Sequence, residues 1–401
     1  MNIQTLKGFR DFLPKESRKR DYVKNTLKKV FESYGFEPLE TPMLEYDEVL
    51  TGKYGEEGEK LMYRFIDNGD RKVAMRYDQT VPTARVVAQY PELPKPFKRY
   101  QMQPVFRADK PQKGRYREFM QCDVDIIGAD SALADAEILA TVDGAYKALG
   151  FRDVTILVND RIVFEGLSPL TITIVDKLKK IGNDGVIEEL VARNACNTVI
   201  EAKNLLQSIL DQKPSARLQE ILSAAKDMGV SENTFVFSPT LARGLDYYTG
   251  LIFEVEIPNY TVGSVCGGGR YDNLIGMFAN NKIPAIGYAV GFDRTIEAME
   301  ELQLFPAEMA TAKVLVTVFD KSLEQKSVEI SSRLRSNNIN CELYLNDAKM
   351  EKQLKYADQK QIPYVVIIGP EEQDKNVVTI KNLQNRTQEQ LTLDQLIQKL
   401  T

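Results

Sequence analysis

Hydrophobic and polar positions along this chain change period several times, and each change marks an element. Between Glu16 and Tyr34 the apolar residues Val23, Leu27, Val30, Phe31 and Tyr34 recur three or four apart, which places them on one side of a helix. Pro14 stands ahead of it and Gly35 where a helix stop is expected. The next stretch, FEPLETPMLEY, reads as a short extended segment whose Pro38 and Pro42 suit an edge strand or an interface. Strand-like runs follow at Met62 to Asp67 and Val73 to Tyr77. Two further runs flank Lys110 to Gly114 and read as an antiparallel hairpin. That loop is longer than a tight turn, so its length points to contacts of its own. Ser131 to Leu149 predicts a second helix and Val154 to Asn159 a strand.

From Asp160 to about Met228 the pattern becomes rich in Leu, Ile, Ala and Lys at helical spacing, which reads as a helical insertion. Strand patterns return at Phe235, most clearly in Leu251 to Glu256. A glycine cluster, Gly267 to Gly269, precedes a strand at Ile286 to Val290 and a helix from Asp293. Leu304 to Thr311, with Pro306 inside it, reads as a linker. Beyond it, strands at Val314 to Phe319, Cys341 to Leu345 and Tyr364 to Gly369 alternate with helices at Ser322 to Ser336 and Lys349 to Lys360. Val377 to Ile380 and Gln388 to Leu391 pair as a hairpin, and Leu393 to Leu400 closes with a helix. Such alternation implies parallel pairing by crossovers with an antiparallel addition. The expected layout is a core in two parts, 1–159 and 231–303, around an insertion at 160–230, then a linker at 304–311 and a terminal α/β domain at 312–401.

Composition narrows the class. The chain has 401 residues, 43% apolar and 27% charged, as a globular protein of two or three domains would. No apolar run is long enough for a membrane span, and MNIQTLKGFRDFLPKES lacks the apolar core of a secretory leader. Cys122, Cys196, Cys266 and Cys341 lie far apart with no zinc spacing, which suggests reduced thiols in a cytoplasmic protein. The net charge of −5 disfavours a generally basic nucleic-acid surface, so any RNA contact must come from local basic clusters. With no histidine in the chain, no imidazole serves as base or ligand.

The stretch VFRADKPQKGRYREFMQCDVDIIG concentrates the chemistry. Met120, Cys122, Val124 and Ile126 share one strand face, and Arg117, Phe119, Gln121, Asp123 and Asp125 share the other, beside a loop full of Arg and Lys. A polar face can simply be solvated. Alternatively, Arg107 offers a planar donor fork to phosphate oxygens, while Gln121 and Asp125 offer partners to a small polar molecule. In MRYDQTVPTAR, Arg76, Asp78 and Thr80 would share one face of an extended segment, with Asp78 as a carboxylate for an ammonium group or merely an exposed edge. LARGLDYYTGLIFE sets Arg243 beside a glycine and pairs Tyr247 with Tyr248, which a strand would point to opposite faces. SVCGGGRYDNL has no Lys-Ser or Lys-Thr after its glycines and fails as a phosphate loop; glycines also let two backbones pack closely. IPAIGYAVGFDR carries Arg294 at a helix start, where a phosphate could sit.

In chain order these segments resemble the class II histidyl-tRNA synthetases. KGFRDFLP resembles that family's opening, ETP its dimer-forming motif 1, FRADKPQKGRYREF motif 2 and GYAVGFDR motif 3. LARGLDYYTG and GGGRYDNLIG resemble the two peptides peculiar to histidyl enzymes, so the resemblance covers almost the whole chain. It implies an α+β fold: a class II antiparallel sheet with flanking helices, a helical insertion, and a C-terminal α/β anticodon-binding domain. It also implies a homodimer with tRNA-His, L-histidine and ATP with Mg2+ as partners, and no membrane. Carried over by position, Arg107 holds the ATP α-phosphate and Arg294 the γ-phosphate side. Arg243 bridges the α-phosphate and the amino-acid carboxylate. Asp78, Thr80 and Gln121 take the α-amino group. Asp125 and Tyr248 pair with the imidazole, with Tyr247 nearby. Lys110, Gln112 and Arg115 meet the tRNA acceptor end, and Arg115 also lies at the ATP.

There are departures from the family pattern. Asp78 and Asp125 stand where many bacterial members have Glu, and Ala108 and Met120 where relatives often have His. The alternative reading is a non-catalytic relative, the histidine-sensing regulatory subunit of ATP phosphoribosyltransferase. Such proteins usually lack the C-terminal domain and some of the phosphate-binding arginines, all of which are present here.

Overall fold

The computed structural model describes residues 3–53, 55–111, 115–242, 248–279 and 281–401, without the side chains of 55–57. The chain divides into two compact units, Met1–Phe12 with Arg20–Leu304 and Leu13–Lys19 with Phe305–Thr401. Among the described residues no helix is long and apolar enough to cross a membrane.

In the first unit the strands are β1 (Glu37–Pro38), β2 (Leu44–Tyr46), β3 (Arg64–Ile66), β4 (Lys72–Met75), β5 (Phe97–Phe106), β6 (Glu118–Ile127), β7 (Thr155–Asp160), β8 (Phe235–Phe237), β9 (Leu251–Glu256), β10 (Cys266–Arg270) and β11 (Ala285–Val290). An eight-stranded sheet has the order β1-β5-β6-β11-β10-β9-β7-β8, and β2-β4-β3 form a small sheet of their own. The large sheet is antiparallel except where β1 meets β5 and β7 meets β8. The proline-bearing segment is its edge, where a missing N–H costs no ladder bond.

Helix α1 (Pro14–Ser33) buries Val23, Leu27 and Phe31, the stripe read from the sequence. Phe31 reaches the sheet's apolar face, with ring centroids 5.7 Å from Tyr100 and 6.3 Å from Tyr288. The alternation of Cys122, Val124 and Ile126 supplies the same face, and all three are buried. Short helices α2 (Asp47–Leu50) and α3 (Gly55–Lys60) lie between β2 and β3, α4 (Thr80–Gln89) joins β4 to β5, and α5 (Ala132–Ala148) follows the hairpin. Ser131 caps α5 by accepting from the Ala134 N–H.

The stretch after β7 is helical: α6 (Pro169–Val175), α7 (Leu178–Ala192), α8 (Val199–Leu210) and α9 (Ala216–Asp227). Ser168, Thr198 and Ser215 each accept from a backbone N–H three residues on and start α6, α8 and α9. Its own core includes Ile174, Val186, Leu190, Leu206 and Ile209. α10 (Phe292–Glu301) ends the unit's regular structure.

In the second unit β12 (Val314–Val316), β13 (Cys341–Leu343), β14 (Tyr364–Ile367), β15 (Val378–Asn382) and β16 (Gln388–Leu391) form one sheet in the order β13-β12-β14-β15-β16. β12 pairs in parallel with β13 and β14, and β14-β15-β16 are antiparallel, as the crossover-plus-hairpin pattern predicts. Its helices are α11 (Glu324–Ser336), α12 (Met350–Gln359), α13 (Pro370–Asp374) and α14 (Leu393–Leu400).

Candidate active site

The β5–β6 hairpin explains the polar face. Its register sets Gln103 opposite Gln121, Gln101 opposite Asp123 and Arg99 opposite Asp125, so an unbroken polar floor forms from two strands. Arg99 is fully buried, with Nη2 2.5 Å from Asp125 Oδ2 and 3.9 Å from Asp123 Oδ2. Its Nη1 donates to Gln101 Oε1 at 3.0 Å. Gln121 Nε2 donates to Asp123 Oδ2 at 2.9 Å, and the Tyr271 hydroxyl donates to Asp125 Oδ1.

One guanidinium serves two buried carboxylates. Burial therefore pushes the Asp123 carboxyl up to about 8, with Asp125 adding to the rise and Arg99 only partly opposing it. Burial also raises Asp125, against the pull of Arg99 and Tyr271. Gln121 Oε1 and Asp123 Oδ1 are buried with no hydrogen-bond partner. Polar atoms left so are costly, and both residues line the same cavity, of about 590 Å³.

The glycine cluster is the middle of β10, and its role is steric. A Cβ on Gly269 would lie 2.8 Å from the Tyr248 ring and 2.6 Å from Leu251 O. Gly287, in register with Asp125 on β11, is tighter still: a Cβ there would lie 1.9 Å from Asp125 Oδ1. Bare backbone is what lets this carboxylate and phenol lie over the strands. The close-packing alternative for the glycines is therefore the correct one.

Cations gather at the other end of the cavity. Arg107 follows β5; its Nε donates to Tyr77 O at 3.1 Å, and its guanidinium lies 4.3 Å from the Tyr77 ring centroid and 5.2 Å from that of Phe119. Two aromatic faces thus hold the fork in one plane. Arg294 stands in the first turn of α10, with Nη1 donating to Ser264 O at 3.0 Å. Arg115 is exposed, and its Nε lies 2.9 Å from Asp109 Oδ2.

Of the residues singled out from the sequence, Asp78, Thr80, Arg107, Arg115, Gln121, Asp125, Tyr248 and Arg294 all line this one cavity. Lys110 is exposed and outside its wall. Gln112, Arg243 and Tyr247 lie outside the described residues. One expectation is corrected: Arg76, Asp78 and Thr80 do not share a face of an extended segment. β4 ends at Met75 and Thr80 opens α4, so strand alternation stops before it applies. Asp78 instead accepts the Val81 N–H at 3.1 Å. Arg76 turns away, buried on Thr41 O, Pro104 O and Gln103 Oε1.

Sequence reasoning gave no role to Arg99, Asp123 or Tyr271. A cue existed for the first: Arg99, Gln101 and Gln103 alternate with Lys98, Tyr100 and Met102, the same period as the partner strand. For Tyr271 the cue was only its place in the GGGRYDNLIG peptide, since it reaches Asp125 across 146 residues of chain.

A largely antiparallel sheet with helices around it, a hairpin that carries an arginine beside a polar floor, and a second arginine at a helix start define the catalytic domain of a class II aminoacyl-tRNA synthetase. The family description for histidyl-tRNA synthetase matches residues 8–295, and that for an anticodon-binding domain matches residues 313–401. The chain is 40% identical to the histidine–tRNA ligase of Cytophaga hutchinsonii over 98% of each chain. It is 38% identical to that of Gloeobacter violaceus over 98% of this chain and 97% of the relative. The solved histidyl-tRNA synthetase of Nostoc sp. PCC 7120 matches with a TM-score of 0.88 at 29% identity, covering 100% of this chain and 99% of that one. The chain belongs to the histidyl-tRNA synthetase family, and its activity is that of a histidine–tRNA ligase.

Proposed function

We propose that L-histidine lies on the β5–β6 floor with its carboxylate toward the arginines, and that ATP occupies the Arg107–Arg294 end of the same cavity. Asp78, Thr80 and Gln121 take the α-amino group, and Asp125 and Tyr248 the imidazole. A histidine carboxylate oxygen attacks the α-phosphorus in line, the bond to the β-phosphate oxygen breaks, and pyrophosphate leaves. The nucleophile is already ionised and needs no base, so the lack of histidine side chains is no obstacle. Arg107 offsets charge on the α-phosphate, assisted by Arg243, and Arg294 holds the γ-phosphate side. Mg2+ would be carried by the phosphates of ATP. Among the described residues no group of three His, Cys, Asp or Glu side chains could hold a metal ion. A ribose hydroxyl at the 3' end of tRNA-His then attacks the adenylate carbonyl carbon, AMP leaves, and the hydroxyl proton passes to a phosphate oxygen. Lys110, Gln112 and Arg115 meet the acceptor end.

The observation that carries this reading is the common cavity: a fork-shaped cation clamped between two rings at one end, and buried acceptors with spare capacity at the other. Labelled pyrophosphate should enter ATP only when histidine is present; exchange without histidine would end the assignment. The reading also includes a homodimer in the cytoplasm. Met43, Leu44, Tyr46, Phe65 and Ile66 are exposed on and beside the β2-β4-β3 sheet, which supports a paired surface there. Sedimentation equilibrium checks it: a monomer at micromolar concentration would remove the dimer.

A further inference from the structure

The segment ahead of α1 is tied to the loop between β5 and β6. Gly8 O accepts the Arg117 N–H at 2.9 Å, and Lys7 O accepts Arg117 Nη1 at 3.3 Å. The same arginine donates from Nε to Asp109 O at 3.0 Å, which joins the outgoing arm of the loop to the returning one. Gly8 has φ +90°, and a Cβ there would lie 2.8 Å from Arg117 Cγ. The close approach therefore needs glycine twice over.

Arg10 completes the tie. Its guanidinium carbon sits 3.2 Å from the Tyr116 ring centroid, and Nη2 lies 3.1 Å from Asp293 Oδ1. Arg20 approaches the same oxygen at 2.5 Å. Tyr116 and Asp293 both line the cavity, but Arg10 does not. Their chain neighbours, Arg115 and Arg294, are cations at its phosphate end. A single side chain thus fixes the returning arm of the loop against the first turn of α10. We propose that Arg10 is a positioning residue for ATP, holding Arg115 and Arg294 at one separation through Tyr116 and Asp293.

The energetics favour a positioning role over bulk stabilisation. The Arg10–Asp293 pair is mostly buried, at 26% and 13% exposure, but Arg20 lies 2.5 Å from the same Asp293 oxygen, so loss of Arg10 leaves that carboxylate with a cation. Misplacement of catalytic groups by about 1 Å, by contrast, can cost about 10²-fold in rate.

The inference rests on the reading of this cavity as the ATP site, so ATP binding is measured by calorimetry beside pyrophosphate exchange. For Arg10→Ala the expected result is a rise of about tenfold in both the Kd and the KM for ATP, with the KM for histidine within about twofold and an almost unchanged Tm. Arg10→Lys should fall between, since it keeps a charge for Asp293 but has no planar face for Tyr116. Tyr116→Leu should match Arg10→Ala, and the double variant should add little to either. Unchanged ATP constants in Arg10→Ala would overturn the proposal. So would ATP and histidine constants that rise together with a fall in Tm. An unsubstituted protein that binds ATP but exchanges without histidine sinks the reading of the reaction and leaves this inference standing. One that does not bind ATP sinks both.

Discussion

The two units each bury a sheet, and they bury opposite things. In the anticodon-binding domain Val314, Leu315, Val316, Val365 and Val366 are all wholly buried. Val314, Val316 and Val366 pack with Ile330 and Leu396 on one side, and Leu315 and Val365 pack with Ala357 on the other. Helices on both faces explain why these strands read as continuous apolar runs. Among the described residues of that unit, the buried polar side chains are the uncharged Thr317, Ser327, Ser331 and Gln353. The catalytic sheet instead buries Arg99, Asp123 and Asp125 on adjacent strands, with Gln121 Oε1 and Asp123 Oδ1 among the acceptor atoms left without a hydrogen bond. A sheet built only to hold a domain together avoids such groups, because charge out of water is costly unless it is fully partnered. A sheet built to take a polar ligand keeps them.

That contrast can be broken most sharply at Asp125. Asp125→Ala should reduce histidine-dependent exchange by about 10³-fold or more, since on the proposed reading it removes one of the two groups that pair with the imidazole. Full activity measured at saturating histidine would contradict the assignment. Arg99→Met comes next. It strands two carboxylates in a buried site and should destabilise by about 3–5 kcal/mol, read from urea unfolding. An aliphatic deletion in the other sheet tests the opposite side of the comparison. Ile380→Ala should cost about 2–5 kcal/mol while the exchange reaction persists and tRNA charging falls.

The smallest effect is a gain. The Asp123 carboxyl is raised in the folded protein to about 8, so the fold binds the proton more tightly than the unfolded chain does. Its contribution is fully present below the ordinary carboxylate range and is lost as pH rises toward 8. Asp123→Asn, a mimic of the protonated form, should raise the Tm at pH 8 to 9 and flatten its pH dependence between the ordinary carboxylate range and pH 8. A variant whose Tm falls in parallel with the parent across that range would show that Arg99 already keeps Asp123 ionised.

Much of this was legible in one dimension. The helical stripe of Val23, Leu27 and Phe31, the strict alternation through Met120 to Ile126, and the crossover pattern after residue 312 each depend on a local period, and each appears in the fold. The MRYDQT segment was misread because its alternation ran into a helix start, and three residues of strand period look the same on either side of that boundary. The glycine cluster could not be assigned from its own residues. Its need for bare backbone comes from Asp125, Tyr248 and Leu251, which lie on other strands or before them.

By itself the sequence determined the elements, the faces of its strands and the family, because periodicity and motif chemistry are properties of neighbouring residues. Only the tertiary structure decided which charges share one guanidinium, which atoms are left without partners, and that Arg10 reaches both Tyr116 and Asp293. The Arg99 sharing follows from the register of one hairpin, and the contacts of Arg10 and of Tyr271 join residues more than a hundred positions apart; no local pattern in the chain encodes either pairing.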